Sequence, residues 1–283
     1  MFFFQKKFYL NAVEAIQTID IEKLIAYKNP RLLRYIPRFV LRYLKRILHQ
    51  DEVNYVLTTY RTSGLEFLRD LIRHLNITYS VQGLERLQQG QRYLFVCNHP
   101  LGALDGVIIM SAIGNVFPNI KFPVNDFLLL LQPLQPLFLP INKHGAQPAE
   151  AVRQLRERLS SDDQVLYFPA GICSRKIGGK ITDLPWKKSF IKMAVEHKRS
   201  VVPMFFDGRN SSFFYGLASW RKRLGIKANL EMLYLSDELF RQRNSRFTLR
   251  VGEAIPHETF TKERKTAGWV DFVRQKTYAL GES

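Results

Sequence analysis

His99 and Asp105 are the two side chains best suited to do chemistry, because five residues separate an imidazole from a carboxylate. A neutral imidazole can take up a proton at neutral pH, since its ordinary pKa is about 6.5, and a neighbouring carboxylate can fix its tautomer and stabilise the imidazolium. The pair therefore fits a general base and its orienting partner. The alternative is structural: a histidine at a strand end, followed by an aspartate that caps a helix.

The segments around this pair predict where it lies. Tyr93–Val96 is apolar enough for a buried strand and Val107–Ile113 for an apolar helix, while a proline and a glycine between them prevent that helix from starting at once. His99 would then lie at the carboxyl edge of a sheet, where open α/β folds keep their sites.

Three other predicted strand ends could bring residues to the same cleft. After one strand, a tight turn at Gly171 would offer free backbone N–H groups to an oxyanion or an anionic head group. Arg175 and Lys176 add positive charge beside that turn. The remaining two strand ends carry Lys143 and Pro203.

Alternating strand and helix patterns predict an α/β domain over residues 91–283. The predicted strands are Tyr93–Cys97, Ile120–Val124, Phe138–Ile141, Val165–Phe168, Val201–Phe206, Asn229–Tyr234 and Phe247–Gly252. The predicted helices are Val107–Ile113, Pro148–Leu159, Pro185–Glu196 and Phe260–Leu280. This order favours a layered domain with a largely parallel sheet. We interpret the aromatic residues between positions 205 and 215 as core, with an acyl groove as the alternative.

Residues 1–90 predict a basic helical region packed on this domain, with helices near Phe8–Tyr27, Arg31–His49 and Val53–Leu75. The second helix carries a basic and an apolar stripe, formed by Arg31, Arg34, Arg38, Arg42 and Lys45 and by Ile36, Val40, Tyr43, Leu44 and Ile47. A basic amphipathic helix of this kind can lie in the interface of an anionic membrane. An ordinary surface helix is the alternative, and Pro37 could divide it.

The composition limits the possible partners. The chain has 283 residues, 46% of them hydrophobic, which excludes a disordered chain, and 42 Lys and Arg against 25 Asp and Glu give a net charge of +17. Such a charge attracts an anionic membrane, an acidic carrier protein or nucleic acid. Two cysteines give no disulfide framework, and Phe127–Ile141, the most apolar window, is too short to cross a bilayer. We expect a peripheral protein on the cytoplasmic face of the membrane.

Together the four strand ends resemble the motif blocks of glycerolipid acyltransferases, the family that includes 1-acyl-glycerol-3-phosphate acyltransferase. In order, that family carries an Asn-His-(four residues)-Asp block, a Phe-Ile-(any)-Arg type block, a Phe-Pro-Glu-Gly block and a Val-Pro block. The four blocks occur in this order between Tyr93 and Pro256. The resemblance implies a three-layer α/β fold with a mixed, largely parallel sheet, in which His99 is the base and Asp105 its partner.

The resemblance also assigns substrate-binding roles to Asn98, Lys143, Gly171 and Pro203, which join Arg175 and Lys176 in the predicted set. Three departures from the family affect the acceptor. The first block has one extra residue, Lys143 replaces an arginine, and Ala170 replaces a glutamate. Lysine offers a point charge in place of a bidentate fork. Head-group recognition should therefore differ from phosphate binding, as in members whose acceptor is a hydroxylated acyl chain attached to glycine or ornithine.

The implied reaction is direct acyl transfer to a lysolipid. His99 removes a proton from the hydroxyl of 1-acyl-glycerol-3-phosphate, or of a monoacyl glycine or ornithine lipid, as it attacks a thioester of acyl carrier protein or coenzyme A. No cofactor or metal beyond that co-substrate is expected. One alternative is a hydrolase triad, in which Cys173 or Ser174 joins His99 and Asp105, and another is a zinc site at Cys97, His99 and Cys173. A third is a non-enzymatic basic membrane-binding protein. No nucleic-acid-binding motif is present in the sequence, so nucleic acid is not expected as a partner.

Overall fold

A seven-stranded sheet forms the centre of the protein, in a computed structural model that describes residues 18–124, 128–140 and 149–282. The strands are β1 (Thr78–Gln82), β2 (Tyr93–Cys97), β3 (Ile120–Val124), β4 (Phe138–Pro140), β5 (Gln164–Tyr167), β6 (Arg175–Ile177), β7 (Lys180–Thr182), β8 (Ser200–Asp207) and β9 (Arg246–Val251). Their order across the sheet is β1-β9-β8-β2-β5-β3-β4, while β6 and β7 form a separate hairpin. Neighbours in the large sheet run parallel except β8 and β9, which confirms the predicted mixed, largely parallel sheet.

Helices cover both faces of this sheet. They are α1 (Ile21–Lys28), α2 (Pro30–Tyr35), α3 (Arg38–Ile47), α4 (Gln50–Thr59), α5 (Leu65–His74), α6 (Leu104–Gly114), α7 (Ala149–Ser160), α8 (Ser189–Glu196), α9 (Ser212–Arg223), α10 (Leu235–Arg241) and α11 (Thr266–Ala279). All five residues of β2 are buried, and its side chains alternate between two hydrophobic clusters. One cluster includes residues of α5 and α6, and the other includes residues of α8 and α11. The fold is therefore a three-layer α/β sandwich, as predicted.

Helix α6 follows β2 through the loop that contains His99. Between Leu104 and Gly114 every residue is buried except Val107, which is partly buried. A helix without a polar face is stable only inside a protein, so its neighbours must surround it. The first turn of α6 carries Asp105, and the burial of the helix places that carboxylate in the interior.

The N-terminal helices differ in part from the prediction. Pro37 separates α2 from α3, because its ring fixes the backbone and removes an N–H donor. The predicted helix Val53–Leu75 is two helices, α4 and α5, separated by residues 60–64. Helix α1 is the part of the predicted helix Phe8–Tyr27 that falls within the described residues, and positions 1–17 lie outside them.

Two predictions of secondary structure are corrected. Strand β1, Thr78–Gln82, lies within the predicted helical region 1–90 and pairs in parallel with β9. The large sheet therefore begins before residue 91. Asn229–Tyr234, predicted as a strand, contains a short 3₁₀ helix over Leu230–Tyr234 that leads into α10. The physical reason is Glu231, whose carboxylate turns into the interior and pairs with two arginines.

The amphipathic N-terminal stripe divides into an inner and an outer part. Leu41 and Ile47 are buried. Four large hydrophobic side chains of α2 and α3 face outward, with exposed fractions of 49% for Leu32, 83% for Tyr35, 66% for Phe39 and 48% for Tyr43. We call these four residues the apolar row. In the ranges that the structure describes, no helix is both long and apolar enough to span a bilayer.

The aromatic residues between positions 205 and 215 differ in burial, and Phe205 is partly buried. Phe206, Phe214 and Tyr215 are buried, which confirms their interpretation as core residues. Phe213, in contrast, is half exposed and meets Tyr234 edge-on, with ring centroids 4.9 Å apart. Phe213 therefore belongs to the surface of α9.

Candidate active site

His99 lies just beyond the carboxyl end of β2, which pairs with β5 on one side and β8 on the other. Its Nδ1–H donates a hydrogen bond to Oδ2 of Asp105 at 2.9 Å. The Asp105 side chain is fully buried, while 11% of the His99 side chain is exposed. Because Nδ1 is committed to the carboxylate, Nε2 is the ring nitrogen that can accept a proton. The structure thus brings the predicted base and its partner together.

The five-residue loop between the pair folds around the carboxylate of Asp105. The N–H groups of Leu101 and Gly102 donate to Oδ2 at 2.9 and 3.2 Å, and the N–H of Gly106 donates to Oδ1 at 2.9 Å. Gly102 has a φ of +84°, and a side chain there would collide with Cys173, whose Cβ lies 2.9 Å from the position of the added Cβ. Gly102 therefore accommodates the extra residue of the loop.

These contacts fix the charge of Asp105. Burial opposes ionisation, but the positive charge of protonated His99 and the hydrogen bonds from His99 and from the backbone of Leu101 and Gly102 outweigh it and lower the pKa of Asp105. Asp105 is therefore an anion at neutral pH. An anion at this position stabilises the imidazolium that forms when His99 takes up a proton.

One face of the His99 ring packs against Phe168. The two rings are stacked, with centroids 3.9 Å apart and 16° between their planes, and Phe122 meets Phe168 edge-on at 5.4 Å. Phe168 follows β5 directly, so the neighbouring strand supplies this aromatic wall. The stack restricts rotation of the imidazole and places apolar surface beside the base.

A second buried carboxylate, Asp183, holds the backbone of His99. Its Oδ1 accepts the N–H of His99 at 3.2 Å and the hydroxyl of Ser174 at 2.6 Å, and its Oδ2 accepts the indole N–H of Trp186 at 2.8 Å. Burial raises the pKa of Asp183 against the effect of these hydrogen bonds. Sequence reasoning missed this residue, because a single aspartate in the stretch Ile-Thr-Asp-Leu-Pro has no spacing that marks it.

Asn98 and Pro203 lie where β2 meets β8. The side-chain oxygen of Asn98 accepts the N–H of Phe206 at 2.7 Å, and its amide group donates to the Phe206 carbonyl at 3.0 Å. Pro203 is buried opposite Val96 in the parallel pairing of the two strands. Both polar groups of Asn98 thus bind the protein itself, and they orient the strand end that carries His99.

The turn after Phe168 is closed by Gly171. Its φ is +74°, and its N–H donates to the Phe168 carbonyl at 3.0 Å. The prediction that the backbone N–H groups of this turn are free for an anion is therefore wrong for Gly171. The ammonium group of Lys187 lies over the turn, 3.2 Å from the position that a Cβ on residue 171 would take. Lys143, the predicted cation of the neighbouring strand end, lies outside the described residues.

Arg175 and Lys176 both belong to β6 but have different surroundings. Arg175 is buried, donates to the Cys173 carbonyl at 2.7 Å and pairs with Glu231 at 2.7 Å. Its guanidinium also lies 5.4 Å from the ring centroid of Phe214. Lys176 is exposed on the hairpin. The geometry gives Arg175 a structural role, and substrate binding by the predicted set stays a prediction.

The side chains that a covalent mechanism would need are buried. Burial raises the pKa of the Cys97 thiol well above its ordinary value and raises that of Cys173 to about 11. A protonated thiol is a poor nucleophile. The Ser174 hydroxyl is also buried, and it donates to Asp183. These positions argue against a hydrolase triad. In the same described ranges, no group of three or more His, Cys, Asp or Glu residues is placed to hold a metal ion.

A histidine base with an aspartate partner, in a site whose described thiols and serine are buried, is suited to activate a substrate hydroxyl for group transfer. A model of the acyltransferase family matches residues 23–283. The chain therefore belongs to this family and is an acyltransferase. Because the match includes α2 to α5, the family unit is longer than Tyr93 to Pro256, the span that the motifs alone predicted.

Two proteins of known activity are 44% identical to the chain over 269 residues, which is 94% of its length. They are the lyso-glycine lipid O-acyltransferases of Phocaeicola vulgatus and Bacteroides thetaiotaomicron, and the alignments cover 96% and 99% of these proteins. The crystal structure of the 1-acyl-sn-glycerophosphate acyltransferase PlsC from Thermotoga maritima aligns with a TM-score of 0.47 and 19% identity, over 92% of both chains. The similarity to the two lyso-glycine lipid enzymes thus extends over nearly the whole chain.

Proposed function

We propose that this enzyme transfers a fatty acyl chain from a thioester to the hydroxyl of a lysolipid, and that this lysolipid is a monoacyl glycine lipid. The proposal rests on the His99–Asp105 pair in a chain that is 44% identical, over 94% of its length, to two lyso-glycine lipid O-acyltransferases. Of the acceptors that the sequence left open, this similarity favours the aminolipid over 1-acyl-glycerol-3-phosphate.

The geometry supports direct transfer with His99 as the general base. As the acceptor hydroxyl attacks the thioester carbonyl, its proton moves to Nε2, and Asp105 stabilises the resulting imidazolium. The tetrahedral intermediate then collapses, the carbon–sulfur bond breaks, and the imidazolium returns the proton to the departing thiolate. An ester and a thiol are the products, and His99 is neutral again. No covalent enzyme intermediate is required, which agrees with the buried thiols.

The charges near the third motif block support an acceptor with a carboxylate head group. A glycine head group carries one negative charge, whereas a phosphate monoester carries more charge and suits a bidentate arginine. Arg175, the arginine that follows this block, is held by the buried Glu231 at 2.7 Å. The block also has Ala170 where the resembling family has a glutamate. Both features support an acceptor other than a lysophosphatidate.

We also propose that the enzyme docks on an anionic membrane through the apolar row. Exposed arginines lie between and beside its members, namely Arg31, Arg34, Arg38, Arg42 and Arg46. The hydroxyls of Tyr43 and Tyr234 are hydrogen-bonded at 2.5 Å, and Tyr234 contacts Phe213, so exposed apolar surface continues onto α9. Aromatic side chains bordered by cations are suited to the interface of anionic lipid, where each cation contributes about 1 kcal/mol.

Acceptor choice can be measured with purified protein and isotope-labelled donors. Acyl-CoA and acyl carrier protein thioesters are each offered with a lyso-glycine lipid or with 1-acyl-glycerol-3-phosphate, and the products are identified by mass spectrometry. We expect the glycine lipid to be acylated with the higher kcat/KM, and the His99→Ala protein to be about 10²- to 10⁴-fold slower. Preference for 1-acyl-glycerol-3-phosphate would contradict the acceptor, and wild-type activity of a folded His99→Ala protein would contradict the mechanism. Comparing the rates with acyl-CoA and with the acyl carrier protein thioester identifies the preferred acyl donor.

Membrane docking can be measured by flotation with vesicles of anionic or neutral lipid. Replacing Tyr35 and Phe39 with serine should weaken flotation with anionic vesicles, because both side chains are mostly exposed and contribute apolar contact. Val195→Ser is the matched control, since Val195 is 44% exposed but lies on α8, outside the apolar row. Equal binding of the wild-type protein to anionic and neutral vesicles would contradict the role of the arginines.

A further inference from the structure

We infer that Lys187 binds the carboxylate of the acceptor head group, an inference that rests on the proposed glycine lipid acceptor. Lys187 lies just before α8, and its N–H donates to the Pro169 carbonyl at 3.0 Å. Four residues earlier, Asp183 accepts the N–H of His99 at 3.2 Å. The segment that carries Lys187 is therefore hydrogen-bonded both to the turn after β5 and to the loop that contains His99.

The side chain of Lys187 extends over Gly171. A Cβ on residue 171 would lie 3.2 Å from Nζ and 3.7 Å from Cε of Lys187, so a larger residue there would crowd the ammonium group. The turn that ends at Gly171 starts at Phe168, whose ring stacks on His99. The glycine thus leaves room for a cation on the turn that adjoins the base.

The ammonium group of Lys187 is available to a ligand. The buried carboxylates around the site are each held by another group: Asp105 by His99, Asp183 by Trp186, and Glu231 by Arg175. In the part of the chain that the structure describes, no carboxylate forms an ion pair with Lys187, and the residue is exposed. A cation without an internal partner, over the turn that adjoins the base, is suited to bind an anionic group of the substrate.

The proposed acceptor carries its hydroxyl and its carboxylate close together. In a hydroxyacyl glycine, a hydroxyl close to the amide end of the chain lies roughly 7 Å from the glycine carboxylate when the bonds between them are extended. The inference requires one such molecule to present its hydroxyl to Nε2 of His99 and its carboxylate to Lys187. The lysine ammonium is a compact charge that matches a monoanionic carboxylate without requiring a bidentate geometry.

The experiment compares two lysine variants on two acceptors. Lys187→Gln is the test variant and Lys188→Gln is the control, because Lys188 is the adjacent exposed lysine and its loss changes the net charge equally. The acceptors are the lyso-glycine lipid and its glycinamide analogue, which lacks the carboxylate charge. Circular dichroism and thermal unfolding verify that both variants are folded, and Lys187→Arg tests whether a cation at this position suffices.

We expect Lys187→Gln to raise KM for the lyso-glycine lipid about tenfold with little change in kcat, since one charge-assisted contact is lost. The wild-type protein and Lys188→Gln should prefer the carboxylate acceptor over the amide, and Lys187→Gln should lose that preference. If the wild-type protein acylates the glycine lipid and Lys187→Gln behaves like Lys188→Gln, this inference is overturned while the proposed function stands. If the wild-type protein does not acylate the glycine lipid, the proposed function is overturned, and this inference with it.

Discussion

Replacing Asp105 with asparagine tests the catalytic geometry, because it removes one charge and changes one oxygen into an amide group of similar size. In the wild-type protein, Oδ2 accepts hydrogen bonds from His99, Leu101 and Gly102, while Oδ1 accepts one from Gly106. When the asparagine oxygen takes the place of Oδ2, it accepts the hydrogen bonds from His99, Leu101 and Gly102. The NH₂ group is then directed away from these three donors and faces only the N–H of Gly106. In this arrangement His99 keeps the tautomer with a proton on Nδ1, but its partner is no longer an anion.

The expected loss of activity follows from that arrangement. A hydrogen bond to a charged group contributes about 1.5–3 kcal/mol, so losing the charge in the transition state lowers kcat/KM by about 10- to 100-fold. His99→Ala removes the base itself and should cost about 10²- to 10⁴-fold. Asp105→Asn should therefore lie between the wild-type protein and His99→Ala.

The assay is acyl transfer by folded Asp105→Asn protein, measured from pH 5 to 9 beside His99→Ala. Wild-type kcat/KM would refute the role of Asp105, and activity as low as that of His99→Ala would refute the orientation of the amide. Stability gives a second measurement. Because the pKa of Asp105 is lowered, the carboxylate stabilises the fold above about pH 4, and this contribution is lost as pH falls through the folded pKa. Thermal unfolding should show the wild-type and Asp105→Asn proteins converging as the pH decreases below about 4.

Two further changes test the other buried carboxylates. Asp183→Asn turns an amide N–H toward the indole N–H of Trp186, so we expect a lower kcat with little change in KM, measured in the same assay. Because burial raises the pKa of Asp183, the wild-type protein should lose stability relative to this variant as pH increases from about 4 through the folded pKa, opposite to the trend for Asp105→Asn. Glu231→Gln should lower the free energy of unfolding in urea by about 3–5 kcal/mol, because it leaves Arg175 buried without its anion, and an unchanged midpoint would contradict this pairing.

The sequence could predict the parts of the site that have a local signal. Strands β2 and β3 have the predicted bounds, Tyr93–Cys97 and Ile120–Val124. The run in β2 is wholly apolar, whereas the run in β3 alternates apolar residues with Lys121 and Pro123, and both patterns indicate strands. His99 follows the first of these runs, so its position at the sheet edge could be deduced from chain order. Asp105 could be paired with it because only five residues separate them.

The remaining parts depend on contacts between distant segments. Asp183 lies 84 residues from His99, and Glu231 lies 56 residues from Arg175, so no local spacing could connect them. Strand β1 was missed for a different reason. Its residues alternate between exposed and partly buried at the edge of the sheet, so it lacks the apolar run that marks β2. Edge strands and buried ion pairs are therefore the elements that required the three-dimensional structure.

The buried carboxylates connect the architecture to the choice of acceptor. Asp105, Asp183 and Glu231 are each at most 2% exposed, and each has a partner inside the protein. Arg175 is therefore paired inside the protein, with a carboxylate that it shares with Arg221, although the chain as a whole carries +17. In the ranges described, the cation that lies over the turn of the third motif block is Lys187. One cation matches one carboxylate, whereas a phosphate monoester would bring more negative charge than this lysine balances. The single charge of Lys187 thus matches a monoanionic head group, which agrees with the proposed glycine lipid acceptor.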